Sequence, residues 1–146
     1  MDFTDISHQR LQNQQLFEPD FKDIEKLVSH FGAIQSQDYA MAKCAIGARI
    51  PGILDADVDA AIDSGKIVRT HVLRPTWHFV AAEDIHWMLE LTAKNIRRQF
   101  ASNDKKLGLD ETVYKKSFKL IEKALRDEHL TRPELMEILE FSGINT

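Results

Sequence analysis

Apolar residues along this chain recur mostly at helical spacing, in stretches divided by short polar punctuation. Phe21, Ile24, Leu27, Val28 and Phe31 share one face, which predicts a helix with Asp20 as its cap and Gly32 as its stop. Ile85, Met88, Leu89, Thr92, Ile96 and Phe100 repeat the pattern over a longer helix that starts near Glu83 and Asp84. Val113, Ser117, Leu120, Ile121 and Ala124 mark another, entered at Asp110. Shorter helices are expected over Ser7–Leu16, after Asp38, and over Asp57–Ser64 with Gly65 as the stop. In the helix after Asp38 the small residues Ala40, Ala42, Ala45, Gly47 and Ala48 permit close helix contacts. Cys44, set among Ala42, Ala45 and Ile46, is expected in the core rather than as a nucleophile.

Residues 67–80 break the helical rhythm. Ile67–Val72 and Thr76–Val80 are β-branched and alternating, with Leu73, Arg74 and Pro75 placed to turn the chain between two strands. Alternation sets Val68 with Val72, and Trp77 with Phe79; Arg69 with His71, and Thr76 with His78, take the opposite faces. Helices followed by a two-stranded ribbon give the order of a winged helix-turn-helix with the ribbon as its wing. The fold class expected is therefore mainly α with a small β-hairpin. Thr131-Arg132-Pro133-Glu134 is a capping box with proline in the first turn, and it opens a helix carrying Leu135, Ile138 and Leu139. A helix over 110–127, a turn through Glu128-His129-Leu130, and this helix are the first two helices of a second helix-turn-helix unit. No third helix or wing follows before Thr146. The expected organisation is a first winged-helix domain over 1–107 and the start of a second, incomplete one over 108–146.

Composition alters this picture little. At 146 residues, 43% hydrophobic and 29% charged, the chain is long enough to build a core without covalent staples. One cysteine excludes an internal disulfide and suits a reducing, cytoplasmic setting. The first residues, Met1-Asp2-Phe3-Thr4-Asp5, carry neither a basic segment nor an apolar run, so no secretory signal is expected. No stretch approaches the roughly 20 apolar residues of a membrane span, and no membrane partner is expected. Charge alters it more. The net charge of −4 argues against a nucleic-acid partner until it is resolved along the chain. Residues 66–80 hold Lys66, Arg69 and Arg74 with no acid, and residues 92–107 hold five bases against one acid. Only local charge acts on a phosphate, within a Debye length of ~8 Å.

Three groups carry candidate chemistry. Gln35 and Gln37 are two apart, so in an extended lead-in to the Asp38 helix they point the same way. Amides offer donors and acceptors at every pH but neither give nor take protons as ordinary acids and bases. Paired amides can therefore position water against a sugar whose leaving group is already good, such as a ring-alkylated, cationic base. The structural alternative is that the glutamines satisfy helix-end backbone groups and Asp38 is a plain cap. The ribbon offers Arg69, His71, Arg74 and His78 for phosphate or groove contacts. Its two histidines have no Cys, Asp or Glu beside them in the ribbon to complete a zinc set, and no metal is expected. On the long helix, Lys94, Arg97 and Arg98 share a face; that face either tracks phosphates or is simply solvated. The chain holds no G-x-S-x-G, Walker A, G-x-G-x-x-G, C-x-x-C or H-E-x-x-H motif.

Ile34-Gln35-Ser36-Gln37-Asp38, Arg49, Gly65–Thr70 and Arg74–Val80 resemble, in order and spacing, the AlkZ-like (YcaQ-related) winged-helix proteins. The opening, with Arg10-Leu11 and Gln14-Gln15-Leu16, is similar too. The resemblance spans nearly all of residues 8–90. It implies a bacterial-type DNA glycosylase, built from tandem winged helices, that removes alkylated and crosslinked bases in base-excision repair. It implies double-stranded DNA as partner and no cofactor. The family's Gln-x-Gln or Gln-x-Asp signature falls on Gln35 and Gln37, with Ser36 where that family usually has an apolar residue. Family members carry three winged helices, so the resemblance covers the first and the entry to the second. The expected function is hydrolysis of the N-glycosidic bond by Gln35 and Gln37, with Arg69, His71, Arg74, His78, Arg97 and Arg98 contacting DNA. The alternatives are a non-catalytic winged-helix DNA-binding module and an inactive remnant that pairs with another protein through its 110–141 helices.

Overall fold

The protein is mainly helical, with one small antiparallel sheet. A computed structural model describes residues 3–73 and 76–145. Contacts divide the chain into two compact units, Met1–Ile96 and Arg97–Thr146.

The first unit opens with α1 (Phe3–Asn13), which buries none of its residues. It begins before the expected Ser7, and it ends before the expected Leu16 because Gln15 adopts a positive φ of 53° that a helix cannot continue through. Gln15 is itself buried, and its Oε1 accepts the Asp20 N–H at 2.9 Å. The cap of α2 (Ile24–Phe31) is Asp23 rather than Asp20, since Asp23 Oδ1 accepts the Lys26 N–H at 3.0 Å. Gly32 ends the helix as expected: at φ 71° its N–H donates to Ser29 O at 2.9 Å. After α2 come β1 (Ile34–Gln35), α3 (Tyr39–Gly47) and α4 (Asp55–Asp63). Asp38 caps α3 through the Met41 N–H at 3.0 Å. Asp57 accepts the Leu54 N–H at 2.8 Å, which starts α4 two residues before the expected Asp57.

β2 (Ile67–Val72) and β3 (Thr76–Ala81) pair antiparallel as the alternation predicts. The sheet is not a two-stranded ribbon. β1 adds to the other side of β3, giving the order β1-β3-β2. Two residues were too short a signal against the helices on either side. Arg74 and Pro75, expected in the turn, lie outside the described residues.

Both faces of the sheet are covered. Ile67 and Phe79 join Leu27, Val28, Ile46 and Val58 in the main core. Val72 and Val80, pointing the other way, pack with Met88 and Ala33. A 3-10 turn (Ala82–Asp84) leads into α5 (Ile85–Lys106). Of the apolar face expected on that helix, only Met88 is buried; Leu89 and Phe100 are exposed. Cys44 is exposed as well. The helical turn carries it away from the buried Ala42 and Ile46, which correct the expectation of a core cysteine.

The second unit holds the end of α5, α6 (Glu111–Ala124) and α7 (Arg132–Phe141). Asp110 caps α6, accepting N–H groups from Thr112 and Val113 at 2.9 and 2.8 Å. At α7, Glu134 Oε2 accepts from both the Thr131 N–H and its hydroxyl at 2.6 Å. Neither α6 nor α7 contains a buried residue.

Candidate functional site

The glutamine run is held by the central strand. Ile34 lies opposite Phe79, and Gln35 lies opposite His78, itself opposite Thr70 on β2. Cross-strand partners share a face, so Gln35, His78 and Thr70 form one row across the sheet. Ile34, Phe79 and Arg69 form the next row, on the reverse face.

Beyond β1 the chain stays clasped to Trp77. The Ser36 N–H donates to Trp77 O at 2.8 Å, and the Trp77 N–H donates to Gln37 Oε1 at 3.4 Å. Gln35 and Gln37 are exposed while Ser36 between them is fully buried. Among the described residues, Ser36 Oγ is the buried side-chain polar atom without a hydrogen-bond partner. An orphaned hydroxyl of this kind costs about 1–3 kcal/mol.

His78 is buried, and its Nδ1 lies 2.9 Å from Thr76 O. A carbonyl only accepts, so Nδ1 carries a proton and donates it to Thr76 O. His71 is exposed and packs on Trp77 with ring centroids 3.9 Å apart. Arg69 is turned inward. Its Nε and Nη2 donate to Ser36 O at 3.2 and 2.9 Å, and Nη2 lies 3.5 Å from Gln37 O. The guanidinium sits over the rings of Trp77 and Tyr39, 4.5 and 5.4 Å from their centroids. Gln35, Gln37, Arg69, His71 and His78 are thus all placed by the one sheet. Arg74 lies outside the described residues.

Arg97 and Arg98 belong to the second unit, both exposed on α5. Arg97 lines a groove of about 660 Å³ with Tyr114, Phe118, Asp104, Lys105 and Lys115 among others, and neither glutamine lines it. Burial raises the Tyr114 pKa above its ordinary value, helped by a hydrogen bond to Asp104.

One cluster escaped the sequence reading. Lys43 of α3 is buried and pairs with Asp55 and, at 3.0 Å, with Asp59 of α4. The Tyr39 hydroxyl donates to Asp59 Oδ1 at 2.8 Å. Hydrogen bonds to the two carboxylates raise the Lys43 pKa. Those from Lys43 and then Tyr39 hold Asp59 below the usual carboxylate value. The bond to Asp59 raises Tyr39. A lone lysine inside a small-residue helix, followed by an aspartate run, was the available signal. Among the described residues no three His, Cys, Asp or Glu side chains converge as a metal site, and no helix is long and apolar enough to cross a membrane.

The family model for DNA glycosylases of the AlkZ-like type matches residues 28–142. The chain belongs to the AlkZ-like family. That match takes in the glutamine run, the whole sheet and most of the second unit of this AlkZ-like chain, and it supports a role related to DNA-repair glycosylases at family level. Neither the curated proteins nor the solved structures gave a match.

Proposed function

We propose that this AlkZ-like chain is a winged-helix DNA-binding protein that hydrolyses the N-glycosidic bond of alkylated bases in double-stranded DNA. The observation that carries the reading is the exposed pair Gln35 and Gln37, set on either side of a buried Ser36 and clasped to the central strand. A rigid pair of neutral amides suits a reaction that needs positioning rather than proton transfer. With an N7-alkylated purine the ring is already cationic. The N9–C1′ bond breaks with its electron pair passing to the base, which leaves neutral. The oxygen of a water oriented by Gln35 and Gln37 bonds to C1′, and its proton departs to solvent. The amide oxygens, of which that of Gln37 also accepts the Trp77 N–H, supply the partial negative charge that a sugar positive in the transition state needs, and lower the barrier there. His78, opposite Gln35 in the sheet, lies on the same face.

The order α2-β1-α3-α4-β2-β3 with sheet order β1-β3-β2 supports the winged-helix reading, with residues 1–107 as that domain and α6 and α7 as the opening helices of a second. In such a unit α4 would be the helix expected to enter the major groove. Here α4 holds Asp55, Asp57, Asp59 and Asp63 and no lysine or arginine. Phosphates repel such a helix, so the exposed glutamine run and His71 are the DNA side of the first unit in this reading, and Arg97 and Arg98 are separate contacts of the second unit.

The test is release of 7-methylguanine from methylated duplex DNA, read by chromatography. Release by the parent that falls at least ~100-fold in Gln35→Ala and Gln37→Ala supports the reading. Duplex binding without release from any alkylated substrate would overturn the catalytic part and leave a DNA-binding module.

A further inference from the structure

We infer that Arg69 is a positioning residue that fixes the Gln35-Ser36-Gln37 backbone, rather than a phosphate contact. The inference deepens the glycosylase reading and rests on it for its kinetic consequence. Two backbone carbonyls of the run and two aromatic rings meet at this guanidinium. Two of its nitrogens donate to the Ser36 carbonyl at 3.2 and 2.9 Å, and the Gln37 carbonyl lies 3.5 Å away. The planar fork can clamp one carbonyl twice; a lysine ammonium cannot reproduce that geometry. Two rings pack against the fork, whose central carbon lies 4.5 Å from the Trp77 ring centroid and 5.4 Å from that of Tyr39. Trp77 in turn clasps the same segment through its own backbone N–H and C=O.

The restraint continues past Arg69. Tyr39 follows Asp38, the cap of α3, and donates its hydroxyl to Asp59, which Lys43 also grips. Donation to a carboxylate enriches the phenol ring in electron density and strengthens its hold on the cation above it. A continuous set of contacts therefore runs from α4 through Asp59, Tyr39 and Arg69 to the Ser36 and Gln37 carbonyls. Ser36 is left with a buried hydroxyl lacking a partner, so its own side chain adds no polar restraint. The backbone of the run is held from outside, by Arg69 and Trp77.

Arg69→Ala and Arg69→Lys separate this role from a phosphate contact. At saturating protein, the single-turnover rate of 7-methylguanine release is expected to fall at least ~30-fold in both. Duplex affinity should change less than about threefold, with an unchanged slope of log K against log salt. Loss of a phosphate contact would instead lower that slope by about 1. A lowered slope with the saturated rate retained would overturn the inference. Amide hydrogen exchange supplies a readout independent of activity. The Ser36 N–H should exchange at least about tenfold faster in Arg69→Lys, which keeps charge and length should the alanine variant unfold; unchanged protection would contradict the role. If the parent releases no base, the glycosylase reading fails by itself, while Ser36 exchange and the salt slope still decide the role of Arg69.

Discussion

The two units show the same helical patterning in sequence and opposite outcomes in packing. In the first, apolar positions converge: Leu27, Val28, Ile46, Val58, Ile67 and Phe79 are buried from five different elements. In the second, α6 and α7 are well capped yet hold only half-buried and exposed residues, with Phe118 58% and Phe141 97% exposed, and among the described residues Ile144, just past α7, is the buried one. Local rules start and stop helices equally well in both. Only the first adds a sheet, whose two covered faces draw helices into a core. The candidate site follows the sheet: Gln35, Gln37, Arg69, His71 and His78 all take their positions from it. A site whose chemistry depends on sub-ångström placement is best built where the packing is rigid.

The sharpest way to break this comparison is to remove one ring from each unit. Phe79→Ala should cost about 3–5 kcal/mol, the usual range for emptying a buried aromatic site. Phe118→Ala should change stability by less than about 0.5 kcal/mol. Denaturant titration checks both; Trp77 and Trp87 report the first unit by fluorescence, and amide exchange reports the second. Equal losses would mean that the second unit has a core of its own. Ser36→Ala comes next, expected to stabilise the first unit by about 1–2 kcal/mol, because it deletes an unpartnered buried hydroxyl. A loss of stability would show that the hydroxyl has a partner. The caps should behave alike: Asp38→Ala and Asp110→Ala are each expected to cost about 1 kcal/mol in their own unit.

The smallest effect is that of pH. Asp59 has a depressed folded pKa, so its contribution is present above the ordinary carboxylate value of ~4 and is lost as pH falls through the folded value. Lys43 and Tyr39 have raised values. Their contribution is complete below their ordinary values of ~10 and is lost as pH rises through the folded ones. A shallow decline at both extremes is expected in thermal melts of the parent. Lys43→Met should flatten its acid limb, and an unchanged limb would remove this cluster as the cause.

Legibility tracked the length of each signal. The strands at 67–72 and 76–81, the Asp38 and Asp110 caps, the Gly32 stop and the turn before α7 could be read directly, because each rests on several residues with one physical preference. β1 could not: two residues carry no period, and only the edge of β3 makes them a strand. The Asp23 cap was lost to Asp20, whose N–H is taken by the side chain of Gln15, a contact no local rule anticipates. Within the site, the spacing of Gln35 and Gln37 was visible. The inward turn of Arg69 was not, since it depends on carbonyls 33 and 32 residues away. The Lys43 cluster likewise needed α3 against α4. Arginine and lysine read as surface charge until the fold shows what they face.

The most direct measurement is the single-turnover rate of 7-methylguanine release at saturating protein, compared between the parent and Gln37→Ala, alongside duplex affinity for each. The account predicts a rate at least ~100-fold lower in the variant with affinity changed less than about threefold. An unchanged rate would contradict it.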